Sequence, residues 1–151
     1  MEILFYKENI PYKLNILNLW QKEFNGEISL LKETSVGILL LDKVFSGMVF
    51  LLFPTKEFFE KETDESKTLK EQKVTIDDVY LYNFCITKEQ QKKGYGTKML
   101  KKVEEYVKKE NRKKIILFVD GGNRGAIKLY VKIGFRVQLA TPSGFIMEKI
   151  L

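Results

Sequence analysis

Apolar positions along the chain alternate between runs of strand length and runs at helical spacing. "EILFY" (2–6) reads as a short strand, and beyond Pro11 the residues Leu14, Leu17, Trp20 and Phe24 recur at helical spacing until Asn25-Gly26 ends the pattern. A second, shorter helix is expected over 28–33. "VGILLLD" (36–42) and "GMVFLLF" (47–53), joined by "KVFS", predict an antiparallel pair that Pro54 closes. "VYLYNFCI" (79–86) is the next strand. In "TKMLKKVEEYVKKEN" (97–111), Met99, Leu100, Val103, Tyr106 and Val107 share one helical face, which must pack on the sheet. "KKIILFVD" (113–120) is almost continuously apolar, as a central strand covered on both sides should be. Asn123 offers an N-cap for a helix over 124–133 with Gly134 as its stop, and "FRVQL" and "GFIMEKI" form two final strands around "ATPSG". The stretch 54–78 breaks the pattern: 13 of its 25 residues are charged, which predicts a mobile connection, either a substrate-side flap or a solvated loop. No internal repeat is present.

Composition narrows the chemistry. At 151 residues the chain suits a single domain spanning 1–151, large enough to bury a core without metals or disulfides. The absence of His and the single cysteine, Cys85, exclude an intramolecular disulfide, a His-based metal site and a His-containing triad, so no metal is expected. The first ten residues lack the basic start and apolar stretch of a signal peptide, and no run reaches membrane-helix length; a cytoplasmic location is the expectation. Of the net charge of +6, much lies between Lys88 and Lys114, where eleven Lys or Arg face four Glu. Such a patch suits an anionic ligand or a solvated helix face. It lacks the interleaved exposed aromatics of a nucleic-acid platform, so nucleic acid is not the expected partner.

The stretch "ITKEQQKKGYGTKML" (86–100) carries the chemistry. A strand that feeds a glycine-containing turn directly into a helix presents backbone N–H groups at the positive end of that helix, a ready anion site. Gly94 and Gly96 permit positive φ and close approach of a bulky ligand, and Lys92, Lys93 and Lys98 add charge. Two better-known phosphate loops do not fit: no Gly-Lys-Ser/Thr follows Gly96, and the dinucleotide spacing from Gly94 places Met99 where a third small residue belongs.

Gln91-Lys92-Lys93-Gly94-Tyr95-Gly96, with its preceding strand and following helix, resembles the Q/R-x-x-G-x-G/A acyl-CoA motif of the GNAT superfamily of N-acyltransferases. Downstream, "NRGAIKLYVKIGF" (123–135) is similar to that superfamily's Asn, Ala, Leu-Tyr and Gly-Phe pattern, and "GFIMEKI" to its closing strand. The resemblance holds residue by residue over 79–150 and only in element order over 1–78. It implies an α/β (α+β) fold: a mixed, mostly antiparallel sheet of about six to seven strands with a splayed parallel central pair, flanked by about four helices. It implies acetyl-CoA as acyl donor, its pantetheine arm on the backbone of Phe84, Cys85 and Ile86. The pyrophosphate then rests on the N–H groups of Lys92, Lys93, Gly94, Tyr95, Gly96 and Thr97, with Gln91 bracing the turn. Asn123 is a helix cap, a pantetheine contact, or both.

The reaction implied is acetyl transfer to a primary amine by direct attack on the thioester. Amide formation needs a neutral amine, a polarised carbonyl and a proton for the departing thiolate. A backbone N–H near Phe84 or Cys85 is the implied polariser and Tyr130 the implied acid, against the simpler reading that Tyr130 only packs. Family members often carry a Glu on the strand before the turn; here Val79 to Ile86 holds no carboxylate, which leaves Asp77, Asp78, Glu33 or water past Tyr80 and Tyr82 as the base. Cys85, with no His to activate it, reads as a small buried residue. A small-molecule amine is the expected acceptor. A protein N-terminus or lysine, a non-catalytic acyl-CoA sensor and a homodimer remain open alternatives.

Overall fold

A computed structural model describes residues 2–6, 35–42 and 44–151. Its described elements are β1 (Glu2–Tyr6), β2 (Ser35–Asp42), β3 (Val44–Leu52), α1 (Lys56–Glu60), α2 (Asp64–Glu71), β4 (Asp78–Ile86), α3 (Tyr95–Lys109), β5 (Lys114–Asp120), α4 (Arg124–Lys132), β6 (Arg136–Ala140) and β7 (Gly144–Ile150). The strands form one sheet in the order β1-β2-β3-β4-β5-β7-β6. Every neighbouring pair is antiparallel except β4–β5, which is parallel. This is the mixed sheet with one parallel pair that the resemblance implied. The helices expected after Pro11 and over 28–33, and with them Glu33, lie outside the described residues. No described helix is long and apolar enough to cross a membrane.

Each face of the sheet buries its own cluster. Leu40, Val49, Val79, Leu81, Ile115, Leu117 and Met147 pack with Met99, Leu100, Val103 and Val107 of α3 and with Tyr130 of α4. On the opposite face Leu52, Ile116 and Ile146 pack with Leu69 and Val74, flanked by Phe58, Phe59, Tyr80 and Tyr82. β5 therefore sends Ile115 and Leu117 to one cluster and Ile116 to the other, which is why its sequence is apolar at every position there.

The β2–β3 hairpin is tighter than the "KVFS" connection suggested. Strand pairing runs from Asp42 to Val44, and the register slips at Leu40/Leu41 so that Ser46 lies in a bulge. Gly47 serves close approach: a Cβ there would lie 2.7 Å from Ile86 Cδ1 and 2.8 Å from the Cys85 carbonyl.

The expectation of a mobile connection over 54–78 is corrected. Thr55 caps α1 by accepting from Phe58 N, and Thr63 caps α2 by accepting from Ser66 N at 3.1 Å. Four of the 13 charged residues form short-range pairs along α1 and its cap, Lys56–Glu60 and Lys61–Glu57. Leu69 and Val74 are enough to seat the segment on the sheet. Both of its ends are held by Arg112, whose Nη1 donates to the carbonyls of Pro54 and Asp78, each at 3.1 Å, and to that of Ile76. The guanidinium also lies 5.4 Å from the Phe53 ring centroid. Hydrogen bonds from a charged donor are worth about 1.5–3 kcal/mol when their loss strands buried acceptors. Arg112→Ala is therefore expected to destabilise the protein by about 2–3 kcal/mol in a denaturation curve; a change below 0.5 kcal/mol would contradict the clamp.

Candidate active site

The site begins where β4 and β5 part. Their pairing runs from Asp78↔Lys114 to Leu81↔Leu117 and stops, although β4 continues to Ile86 and β5 to Asp120. A bulge on the other edge of β4 accompanies the parting. Phe50 faces Tyr82 and Met48 faces Cys85, so Asn83 and Phe84 together oppose Val49. Asn83 has φ of 55°, in the left-handed region that Asn tolerates better than most residues. A bulge bends its strand and shifts side-chain parity by one. Val79 and Leu81 face the α3/α4 cluster and Tyr80 and Tyr82 the opposite one; beyond the bulge, Phe84 and Ile86 face α3/α4 again.

Past Ile86 the chain is pinned at both ends of its turn. Thr87 N donates to Ser46 O at 2.8 Å, and Gln91 Nε2 donates to Ile86 O at 3.0 Å, so Gln91 braces the loop as expected. Lys92 (φ 63°) and Gly94 (φ 79°) both adopt left-handed backbone, and Gly94 caps α3, which starts at Tyr95, two residues earlier than predicted. Lys98 N is the first to donate into the helix, to Gly94 O at 3.2 Å. The N–H groups of Tyr95, Gly96 and Thr97 thus form the open positive end of a fifteen-residue helix with no acidic residue in its first turn.

The two glycines do different work. Around Gly94 an added Cβ would meet nothing within 4 Å, so the turn is open to a ligand there and glycine answers the φ. Gly96 does not have positive φ, contrary to the expectation for both. Its Cβ would lie 2.8 Å from Leu129 Cδ2 and 3.4 Å from Phe84 Cζ, so this glycine lets the first turn of α3 settle against α4 and the freed half of β4. The turn's lysines are less uniform than their charges suggest. Lys93 Nζ donates to Gln90 Oε1 at 2.7 Å, and Lys98 lies 5.7 Å from the Tyr95 ring centroid. An anion held by backbone N–H groups, with an extended arm between the parted strands, fits this geometry; a phosphate-bearing thioester such as acetyl-CoA has that shape.

Opposite Phe84 stands α4. Asn123 Oδ1 accepts from Ala126 N at 3.2 Å, the helix-capping role of that residue. Seven positions on, Tyr130 is buried, its ring 6.0 Å from Phe84 and 5.6 Å from Phe135. Burial drives its phenol well above the ordinary tyrosine pKa, so it stays protonated. Its hydroxyl has no hydrogen-bond partner among the described residues, which a tyrosine kept only for packing does not require. Cys85 lies in the same stretch, half-buried and opposite Met48.

Of the base candidates, the two aspartates are at the wrong end of β4. Asp78 Oδ2 accepts from Thr75 N at 2.8 Å and Thr75 Oγ1 at 3.0 Å, and Asp77 O accepts from Lys113 N. At ~3.3 Å per residue, Asp78 sits roughly 17 Å from Asn83, so neither serves the slot. Tyr80 and Tyr82 stack at 6.4 Å on the α1/α2 face; burial pushes Tyr80 up, partly offset by a hydrogen bond from Gln72. Lys101 is exposed on α3 and Lys102 pairs with Glu105 at 3.3 Å. Both lie beyond the helix's first turn. Exposed charges are screened within ~10 Å, so replacing both with Ala should move acetyl-CoA affinity less than about threefold by calorimetry.

The parted parallel pair leading into a glycine-capped helix has the shape that an acyl-CoA-binding slot requires. Residues 68–135 match the acetyltransferase (GNAT) family. No curated protein matches the chain. Among solved structures, aminoglycoside 6'-N-acetyltransferase complexed with coenzyme A is similar in fold, with a TM-score of 0.76 at 13% identity over 99% of this chain and 97% of that one. PaiA N-acetyltransferase from Thermoplasma acidophilum in complex with coenzyme A gives 0.67 at 20% identity over 100% of both chains. Arabidopsis thaliana NAA60 in complex with a bisubstrate analogue gives 0.69 at 16% identity over 99% of both.

Proposed function

We propose that this chain is an N-acetyltransferase that moves acetyl from acetyl-CoA to the primary amine of a small molecule. The observation that carries the reading is the loss of β4–β5 pairing after Leu81↔Leu117, directly before the Gly94-capped end of α3. In this reading the backbone of Phe84, Cys85 and Ile86 lines the pantetheine arm, and the N–H groups from Lys92 to Thr97 hold the pyrophosphate. Gln91 keeps the turn in place by its bond to Ile86 O. Asn123 fixes the start of α4 and so the placement of Tyr130.

The amine nitrogen bonds to the acetyl carbon, the carbon–sulfur bond breaks, and Tyr130 gives its proton to the sulfur. In this reading the amine's surplus proton leaves to water; Asp77 and Asp78 lie at the entrance of β4, Glu33 lies outside the described residues, and solvent reprotonates Tyr130. Since burial keeps Tyr130 protonated, kcat/KM should rise with pH until the acceptor amine is neutral. No descending limb from Tyr130 should appear up to about pH 10, the ordinary tyrosine value.

The structural neighbours bear names that point to an aminoglycoside and to a ribosomal-protein alanine, so fold alone does not select the amine. A panel of small amines and amino-terminal and lysine peptides, screened for acetyl-CoA-dependent release of free thiol, tests the reading. Thiol release with small amines supports it. Release with peptides alone moves the assignment to protein acetylation, and no release with any amine leaves an acyl-CoA-binding protein without transfer.

A further inference from the structure

We infer that the Asn83 side chain is a second donor to the acyl carbonyl in the β4–β5 slot, an inference that rests on the acetyl-CoA reading above. Four observations meet at this residue. It lies two positions beyond Leu81, the last residue of β4 to pair with β5. It is in the bulge that shifts the strand's parity, between Tyr82 on one face and Phe84 on the other. Its backbone is left-handed, with φ of 55°. Its Nδ2 is buried and has no hydrogen-bond partner among the described residues.

The backbone conformation alone does not call for an amide. Glycine meets a left-handed φ at lower steric cost and would leave no buried donor behind. A buried N–H without an acceptor is costly and calls for an explanation, of which a part in catalysis is one. Of the described residues that meet the bulge or Phe84 here, Val49, Gly96 and Leu129 carry no side-chain acceptor and Tyr130 carries its hydroxyl. A thioester carbonyl brings an acceptor, and one whose oxygen gains negative charge as the amine attacks. Asn83 Nδ2 and a backbone N–H of the freed half of β4 would then act together on that oxygen, the arrangement that stabilises acyl-transfer transition states. Asn83 transfers no proton; the bonds formed and broken remain those given above.

Asn83→Gly and Asn83→Asp separate this role from a purely conformational one, because both replacements accept a left-handed φ while neither keeps the donor. Calorimetry compares acetyl-CoA with CoA, which lacks the carbonyl. The wild type is expected to prefer acetyl-CoA by about fivefold, the worth of one neutral hydrogen bond. Both variants should lose that preference while binding CoA within about twofold of wild type, and with the best amine from the panel kcat should fall by about 10²-fold. A Gly variant that keeps both the preference and the turnover, or a wild type that binds the two ligands equally, would overturn the inference. The binding ratio needs no acceptor: if no amine is acetylated, the transfer reading fails while the ratio still decides the role of Asn83.

Discussion

Tyr130→Phe is expected to lower kcat by about 10²- to 10⁴-fold, the usual span for loss of a general acid, while the acetyl-CoA dissociation constant stays within about threefold. The ring that packs between Phe84 and Phe135 is retained. The hydroxyl has no partner among the described residues, so removing it breaks no hydrogen bond to them, and stability should be unchanged or slightly higher. That combination separates chemistry from packing. A tyrosine kept for the core alone would leave turnover of the folded enzyme intact. Steady-state kinetics with the best acceptor, alongside a denaturation curve, reads both quantities; wild-type kcat in a folded Phe variant would remove Tyr130 from the proton path and leave water as the donor.

The second large effect is expected at Gly96. Gly96→Val should weaken acetyl-CoA binding at least about tenfold, equivalent to ~1.4 kcal/mol. The cause is displacement of the helix end. The first side-chain carbon alone would meet Leu129 Cδ2 at 2.8 Å and Phe84 at 3.4 Å, and the two methyls of Val need further room. The first turn of α3 must then move away from α4, carrying its free N–H groups with it. Combining Gly96→Val with Leu129→Ala should return part of the affinity, because the nearest obstructing atom is the end of one side chain. Titration calorimetry on the single and double variants checks both points. Unchanged affinity in the single variant would place the phosphates elsewhere.

These two residues also show which features can be read from a sequence. The glycine turn and the Asn123 cap were legible because their causes are local: a few residues fix the backbone and the helix end. The apolar run of β5 was equally readable, since Ile115, Ile116 and Leu117 are buried on alternate faces, although Phe118 in the same run is exposed. The bulge at Asn83 was not. It depends on the register of β4 against β3, a long-range matter, and a lone Asn in an apolar strand carries little signal. The helices of 54–78 were hidden by their charge, because a short helix capped by Thr and seated by Leu69 and Val74 needs few apolar residues. Arg112 was passed over for a related reason: in a lysine-rich stretch its charge looked like one more solvated cation. Asp77 and Asp78 stand at the entrance of the strand whose far end leads into the glycine turn, and strand length alone keeps them apart from it.

Arg112 has one more consequence. It grips the chain at Pro54, where the α1–α2 segment departs, and again at Ile76 and Asp78, where it returns. A stretch of some twenty residues therefore leaves and rejoins the sheet at a single fastening, much as a cassette sits in a frame. Its length and surface can change without asking β3 or β4 to move. Grafts of other sequences between residues 55 and 75 should fold on this framework so long as Arg112 keeps its three carbonyls and apolar side chains stand in for Leu69 and Val74 over Leu52, Ile116 and Ile146.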